Sequence, residues 1–195
     1  YFASAKHQGI PKAGYTKIVE NMLNSDNIEV RLNTSFKDIE SEIEGVKVIY
    51  TGPIDELLNY ELGVLPYRSL RFEAEWTDQD LGHAVVNEAD KDVPYTRTHD
   101  YKYYQIHQPE VFASKKSYIC KEYPADYEVG KEAYYPVNNA ESEALYQKYL
   151  ELLKDRYPNI ILGGRLGAYR YWDMDVAIKN ALNLADLILK NKNIS

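Results

Sequence analysis

The chain has 195 residues, of which 45% are hydrophobic, and a formal net charge of −7 at pH 7. This length can bury a substantial core, and the negative charge argues against nucleic acid or an anionic membrane surface as the main partner. No apolar run approaches the ~20 residues of a membrane span, and the single cysteine, Cys120, cannot form an internal disulfide, so we expect a cytoplasmic protein.

The beginning of the chain predicts helix and strand segments in alternation. Apolar residues at helical spacing predict a helix over 11–24, with a proline in its first turn. Alternating apolar and charged residues predict a short strand over 28–32. A second strand is predicted over 46–50, where Thr51-Gly52-Pro53 stops it. Segments at these distances indicate part of an α/β layer.

The middle of the chain, about 67–123, predicts an antiparallel sheet. Short β-rich runs at 69–76, 84–86, 94–104 and 118–123 alternate with turn residues, which indicates roughly four to six strands. Tyrosine is abundant, with 19 copies against four Phe and two Trp. Its flat ring and hydroxyl suit sugars, nucleobases and phosphates, and they suit sheet strands equally well.

The last part of the chain returns to an α/β pattern. Asn138 and Glu141 predict a capping box for a helix that runs to about Lys154. A buried strand is predicted over 160–162, and apolar residues at three- and four-residue spacing predict a helix over about 176–190. The expected fold class is therefore α/β, with an α/β layer interrupted by an antiparallel sheet.

The turn between that strand and that helix, GGRLGAYRYWDMD at 163–175, is the first candidate for a binding site. A strand, a Gly-rich turn and a helix start bring backbone N–H groups and a helix dipole together, and this arrangement stabilises an anion. Arg165, Arg170, Tyr169 and Tyr171 lie in the same turn, which therefore predicts a phosphate site. The alternative is that the glycines only turn the chain and the arginines are solvated.

Arginine and tyrosine also cluster at 67–70, at 94–97 and at Tyr134-Tyr135-Pro136. Arg97 could bind a diphosphate through two parallel hydrogen bonds, or it could form a cross-strand ion pair at the surface. Because a residue before proline is extended, only one of the two adjacent tyrosines needs to face a site.

Side chains typical of a catalytic centre are not evident. The four histidines show no metal-ligand spacing, and no nucleophile has a partner base in the sequence. Asp173 and Asp175 stand at a predicted helix start, where capping is the expected role, and Cys120 fits an inert, partly buried thiol. Any chemistry at such a site would come from a cofactor.

Seven motifs that follow one another along the chain closely resemble the C-terminal half of bacterial UDP-galactopyranose mutase. They are IPKAGYTKIVENML (10–23), VIYTGPID (48–55), LPYRSLRFE (65–73), DVPYTRTHDYKYY (92–104), KEYP (121–124), YYP (134–136) and GGRLGAYRYWDMDVAI (163–178). The resemblance implies a flavoprotein that interconverts UDP-galactopyranose and UDP-galactofuranose through an adduct between N5 of reduced FAD and the sugar. It also implies a part in cell-surface polysaccharide biosynthesis.

The resemblance assigns roles to individual residues. The catalytic positions are Arg97 and Arg68. The substrate-binding positions are Tyr1, Arg97, Tyr135 and Tyr171. The positions that contact FAD are Arg165, Asp173 and Met174. No metal is expected.

The resemblance also implies a domain organisation. Residues 1–62 and 134–195 match parts of an FAD-binding α/β domain with a partial Rossmann-like layer, and 63–133 match an antiparallel substrate domain. The G-x-G-x-x-G motif of the family's first half is absent from this sequence, so we expect the chain alone to be inactive and to bind FAD weakly or not at all. A homodimer is expected for the complete protein.

Two alternatives to the mutase hypothesis remain open. One is a non-catalytic module that binds UDP-sugars or nucleotides. The other is a different FAD-dependent oxidoreductase of the same fold.

Overall fold

The computed structural model describes residues 6–192, which form two compact units. Unit 1 consists of residues up to Asn33 together with Arg71–Pro124, and unit 2 of Thr34–Leu70 together with residues from Ala125 onward. An antiparallel sheet and a small parallel sheet are both present, which confirms the expected mixed α/β class. The assignment of 1–62, 63–133 and 134–195 to FAD-binding and substrate domains stays a prediction.

The strands in chain order are β1 (Val48–Tyr50), β2 (Tyr67–Thr77), β3 (Val85–Asn87), β4 (Arg97–Asp100), β5 (Ser117–Asp126), β6 (Tyr135–Pro136) and β7 (Ile160–Leu162). The α-helices are α1 (Gly14–Leu23), α2 (Phe36–Ile39), α3 (Ile54–Leu57), α4 (Pro109–Phe112), α5 (Ala140–Arg156), α6 (Gly164–Gly167) and α7 (Met174–Lys192). Two 3₁₀ helices cover Glu40–Glu42 and Tyr101–Gln105. Within residues 6–192, none of the helices is both long enough and apolar enough to cross a membrane.

Unit 1 contains the strands β3, β4, β5 and most of β2, which are neighbours in that order. The register of β4 places His99 opposite Val85 on β3, and Arg97 opposite Glu122 on β5. The predicted strand over 94–104 is shorter than expected, because the chain turns into a 3₁₀ helix directly after Asp100. There the Asp100 carboxylate accepts a hydrogen bond from the Lys102 N–H and caps that helix.

The helix predicted over 11–24 is confirmed as α1, whereas the strand predicted over 28–32 is wrong. Residues 28–32 have no strand partner, and Leu32 is 80% exposed. Alternation of apolar and charged residues is a property of a single segment, whereas a strand forms only where a second strand pairs with it.

Unit 2 contains the parallel pair β1–β7, in which Val48 is opposite Ile160 and Tyr50 is opposite Leu162. Its hydrophobic core includes four buried tyrosines, which are Tyr67, Tyr146, Tyr149 and Tyr169. Three of these hydroxyls donate to backbone carbonyls: Tyr146 to Gly167, Tyr149 to Gly63 and Tyr169 to Pro66. Some of the many tyrosines therefore fill the core of unit 2 with their rings and hydrogen-bond its backbone carbonyls with their hydroxyls.

The helix predicted before the last strand is α5, but its capping box is displaced by one residue. Asn139, not Asn138, is the N-cap, and its side chain accepts a hydrogen bond from the Ser142 N–H at 2.8 Å. The Ser142 hydroxyl accepts in return from the Asn139 N–H at 3.1 Å. Serine thus takes the part that was predicted for Glu141, since a hydroxyl can also reach back to the N-cap N–H.

Candidate functional site

The glycines of the turn at 163–175 face the protein. A Cβ on Gly163 would lie 3.0 Å from Cγ2 of Ile49, and one on Gly167 would lie 2.9 Å from the carbonyl oxygen of Tyr50. Gly164 has a φ of +68°, which L side chains rarely adopt. The glycines therefore allow α6 to pack closely against β1. The helix predicted from about 176 is confirmed as α7, which begins at Met174, and the short helix α6 forms within the predicted turn.

Arg165, on α6, lies beside two of the predicted substrate-binding tyrosines. Its guanidinium carbon is 5.5 Å from the ring centre of Tyr135 and 5.8 Å from that of Tyr171. The two tyrosine rings are 5.4 Å apart. The guanidinium donates to the backbone carbonyls of Tyr134 and Trp172, so its orientation is fixed. The structure thus brings Arg165, Tyr135 and Tyr171 together within unit 2.

Arg68 joins this group through the sheet. It lies on β2 directly opposite Tyr135 on β6, and residues directly opposite each other in an antiparallel pair extend from the same face. The pairing is supported by a 3.1 Å hydrogen bond from the Tyr134 N–H to the Arg68 carbonyl. Arg68 is exposed, whereas its neighbours Tyr67 and Ser69 are buried.

The arginines differ in whether a carboxylate neutralises them. The sequence has seven arginines, and those paired with an acidic side chain are Arg31, Arg71, Arg97, Arg156 and Arg170. Within residues 6–192, Arg68 and Arg165 have no such partner. Because both flank Tyr135, this part of unit 2 presents two guanidinium groups that no ion pair neutralises, and such groups attract anions.

Arg170 has a different role from the one its position in the turn suggested. Its guanidinium donates to both carboxylate oxygens of Glu143 on α5, at 2.8 and 3.2 Å. These hydrogen bonds hold the pKa of Glu143 below its ordinary value. Arg170 therefore links the turn to α5 and is already neutralised.

Arg97 belongs to unit 1, where it forms the cross-strand ion pair that was one of its two predicted roles. Its Nε donates to Oδ1 of Asn87 at 3.0 Å, and its Nη1 lies 3.5 Å from Oε2 of Glu122. The same Glu122 oxygen is 3.5 Å from Nε2 of His99, whose Nδ1 is 3.2 Å from the Tyr104 hydroxyl. The Arg97 side chain is still 41% exposed and accessible to a ligand.

Three neighbours of Arg97 (Asn87, Glu122 and His99) are residues that the sequence did not single out. The signal that identifies two of them is strand register, since Asn87 and Glu122 are the residues directly opposite Arg97 on either side. That register follows from pairing across the sheet and is not visible in the local sequence.

The remaining candidates are less constrained. Met174 is the first residue of α7 and is 59% exposed. The backbone carbonyl of Asp173 accepts from the Ala177 N–H at 2.9 Å, which places Asp173 at the N-terminal end of that helix. Tyr1 lies outside the described residues. Cys120 is buried, and this burial raises the pKa of its thiol. In the part of the chain that the structure describes, no group of metal-binding side chains is found.

Comparison with known proteins identifies the family. The family profile of UDP-galactopyranose mutase matches residues 1–171. The chain belongs to the UDP-galactopyranose mutase family. Five of the predicted site residues in the described part lie within the match (Arg68, Arg97, Tyr135, Arg165 and Tyr171), whereas Asp173 and Met174 lie beyond its end.

Individual relatives agree with this membership of the mutase family. The dTDP-fucopyranose mutase of Escherichia coli is 39% identical, with 95% of this chain and 50% of that protein covered. The probable UDP-galactopyranose mutase of Klebsiella pneumoniae is 39% identical over 95% of this chain and 47% of that protein. The UDP-galactopyranose mutase of Mycoplasma pneumoniae is 35% identical over 97% and 50%. The chain spans about half the length of these relatives.

Proposed function

We propose that this chain is the C-terminal part of a flavin-dependent mutase that interconverts UDP-galactopyranose and UDP-galactofuranose. The observation that supports this most directly is the pair of arginines without an acidic partner, Arg68 and Arg165, beside Tyr135. FAD and the substrate each carry a diphosphate, which arginine binds through two parallel hydrogen bonds. Tyr135 and Tyr171 add hydroxyl donors at the same place.

These residues would act by electrostatic stabilisation. When the bond between the anomeric carbon and the diphosphate breaks, negative charge grows on the diphosphate oxygens. Donors that are already oriented towards those oxygens stabilise that charge without having to reorganise. By its resemblance to the family, Arg97 of unit 1 is also assigned to substrate binding, and its Nε edge is already fixed by Asn87.

The residues assigned to FAD fit part of that cofactor. A guanidinium has five N–H donors. Backbone carbonyls of Tyr134 and Trp172 take two of those of Arg165, so the others can meet an anionic pyrophosphate. The exposed side chain of Met174 offers an apolar contact nearby in the sequence. When bound, reduced FAD would supply the nucleophile that the chain itself lacks. We assign β1, β7 and α7 to a partial Rossmann-like layer of the cofactor-binding domain.

A second substrate is favoured by one comparison. The dTDP-fucopyranose mutase of Escherichia coli and the probable UDP-galactopyranose mutase of Klebsiella pneumoniae are equally similar to this chain, at 39% identity. Both names describe a pyranose mutase acting on a nucleotide-linked sugar. The alternative substrate is therefore dTDP-fucopyranose, with the same role for Arg68 and Arg165.

Calorimetric titration of the 195-residue chain with UDP tests the binding part of the proposal. Arg68→Met and Tyr171→Phe should each weaken UDP binding at least about tenfold, because a hydrogen bond to a charged group contributes about 1.5–3 kcal/mol. Arg156→Met is the matched control, since Arg156 is also in unit 2 but is paired with Glu61. Unchanged affinity in both site variants would refute the assignment.

Catalysis is tested with the complete gene product that contains this chain. After reduction with dithionite, it should convert UDP-galactofuranose to UDP-galactopyranose, and dTDP-fucofuranose should be assayed in parallel. The substrate with the higher kcat/KM decides between the two mutase activities. UDP binding with no conversion of either sugar would favour the non-catalytic module.

A further inference from the structure

Unit 1 carries an aromatic cleft that none of the roles above uses. Its walls include Trp76 from β2, Tyr118 from β5 and Tyr101 from the 3₁₀ helix that follows β4. The cleft has a volume of about 440 Å³. This is within the roughly 300–1,000 Å³ that small-molecule sites occupy.

The rings of the cleft are open to solvent. Trp76 is 69% exposed, Tyr101 43% and Tyr118 37%. Trp76 and Tyr118 have ring centres 5.1 Å apart, and those of Tyr101 and Tyr118 are 5.8 Å apart, so the three rings form a continuous apolar surface. A contiguous exposed apolar surface of this kind commonly marks a binding site.

The inclination of the rings indicates the shape of the ligand. The planes of Trp76 and Tyr118 meet at 46°, and those of Tyr101 and Tyr118 at 36°. A flat nucleobase stacks best in a slot with parallel walls, whereas inclined walls form a trough. A puckered sugar ring suits a trough, because it directs C–H groups towards more than one wall. Those C–H groups carry partial positive charge, which the negative face of an aromatic ring attracts.

The polar groups of the cleft indicate the charge of the ligand. Lys102 is not available, because its ammonium lies 2.5 Å from the Asp80 carboxylate; this hydrogen bond, with one from Tyr103, holds the pKa of Asp80 at about 2. The charged groups that remain in the lining are one carboxylate, Glu110, and one ammonium, Lys116. Such a balanced pair suits hydroxyl groups, which donate and accept, better than it suits a phosphate.

We infer that this cleft binds a neutral saccharide through its aromatic trough. Gln105 and Ser114 complete the polar lining. Gln105 uses its Oε1 to accept from Gln108 at 2.8 Å, which leaves its amide hydrogens to donate to a sugar hydroxyl. The inference does not depend on the mutase proposal, since all of these residues lie in unit 1 and none has a role in that proposal.

Tryptophan fluorescence tests this inference directly. The chain has two tryptophans, Trp76 and Trp172, so in Trp172→Phe the emission reports Trp76 alone. Titration of that variant with methyl β-galactopyranoside and with lactose should give a saturable change in emission, half-complete at millimolar concentration, the range of weak binding near −4 kcal/mol. Adding Tyr118→Ala should raise the half-saturating saccharide concentration at least about tenfold, because one stacking partner and its buried area are lost.

The matched control is Tyr95→Ala, because Tyr95 packs edge-on against Tyr123 and does not line the cleft. It should respond to the saccharides as the parent does. Absence of a saturable change with either saccharide would overturn the inference, as would an equal response in Tyr118→Ala. A saturable response to UDP that Tyr118→Ala abolishes would also overturn the inference, because the cleft would then be an anion site, whatever the UDP titrations of the Arg68 and Tyr171 variants show. An emission change that follows protein concentration alone would overturn it in favour of self-association.

Discussion

Removing the hydroxyl of Tyr169 tests the tyrosine core of unit 2. Tyr169 is fully buried, and its hydroxyl lies 2.6 Å from the Pro66 carbonyl and 3.2 Å from the Val137 carbonyl. Its ring stacks on Tyr146 at 5.5 Å and meets Tyr67 edge-on at 5.3 Å. Tyr169→Phe keeps these ring contacts and removes only the hydrogen bond, so the change isolates one polar interaction.

The expected loss is small, because neither carbonyl is left without a donor. The Pro66 carbonyl still accepts from the Val137 N–H at 3.0 Å, and the Val137 carbonyl still accepts from the Ser142 hydroxyl at 2.5 Å. The free energy of unfolding should therefore fall by about 1 kcal/mol, the net value of one hydrogen bond.

Tyr149→Phe is the informative comparison. The Tyr149 hydroxyl accepts from the Leu62 N–H at 3.1 Å and donates to the Gly63 carbonyl at 2.6 Å. Its removal takes a partner from a donor and from an acceptor at once. The free energy of unfolding should fall by about 2 kcal/mol, because two hydrogen bonds of about 1 kcal/mol each are lost and not one.

Urea unfolding followed by fluorescence measures both losses. In Trp76→Phe the emission reports Trp172, which lies in unit 2, so the signal follows the unit that contains the substitutions. Linear extrapolation then gives the free energy of unfolding for each variant. A loss for Tyr169→Phe equal to or larger than that for Tyr149→Phe would refute the reasoning from shared carbonyl partners.

Three further predictions concern pH, turnover and the cofactor. Burial raises the pKa of Asp55 above its ordinary value of 3.8. Ionisation of Asp55 therefore destabilises the folded state, and the free energy of unfolding falls as the pH rises through the pKa of the folded protein. Asp55→Asn keeps an acceptor for the Leu65 N–H and should be more stable than the parent at pH 7 but not at pH 3, as thermal melts at both pH values will show. Arg97→Ala in the complete protein should lower kcat/KM at least about 100-fold, the equivalent of losing roughly 3 kcal/mol of transition-state stabilisation. Arg71→Ala removes a surface arginine paired with Glu73 and should leave kcat/KM unchanged. Near-normal turnover of the Arg97 variant would contradict the role proposed for Arg97. The 195-residue chain incubated with FAD should emerge colourless from gel filtration, and a yellow protein peak would show that it holds the cofactor by itself.

The sequence predicted the elements whose signal is local. The helical spacing of α1 and α7, the capping-box pattern before α5 and the apolar run of β7 were enough to locate them. The capping box was displaced because Asn138 and Asn139 are chemically equivalent, and the choice between them depends on which N–H the Ser142 hydroxyl can reach. The strand over 28–32 failed for a related reason, since pairing is a property of two segments.

The same distinction between local and long-range signals applies to the candidate site. Arg165 and Tyr171 lie six residues apart, so their proximity could be predicted from the turn that contains both. Arg68 and Tyr135 meet only through the register of β2 and β6, and Arg97 meets Glu122 only through that of β4 and β5. The family resemblance supplied Arg68 and Arg97 as site residues, but it did not supply the partners that hold them.

The arrangement around Arg97 has a consequence for the entropy of binding. Asn87 and Glu122 hold the guanidinium from the two neighbouring strands, so the torsions of this long side chain are restricted during folding. Ordering such a side chain costs up to about 2 kcal/mol, and here that cost does not fall on the ligand. Because Glu122 already offsets part of the Arg97 charge, a singly charged anion gains little from the contact, whereas a diphosphate gains more. In the role proposed for Arg97, unit 1 would therefore favour a diphosphate over a singly charged anion of similar shape.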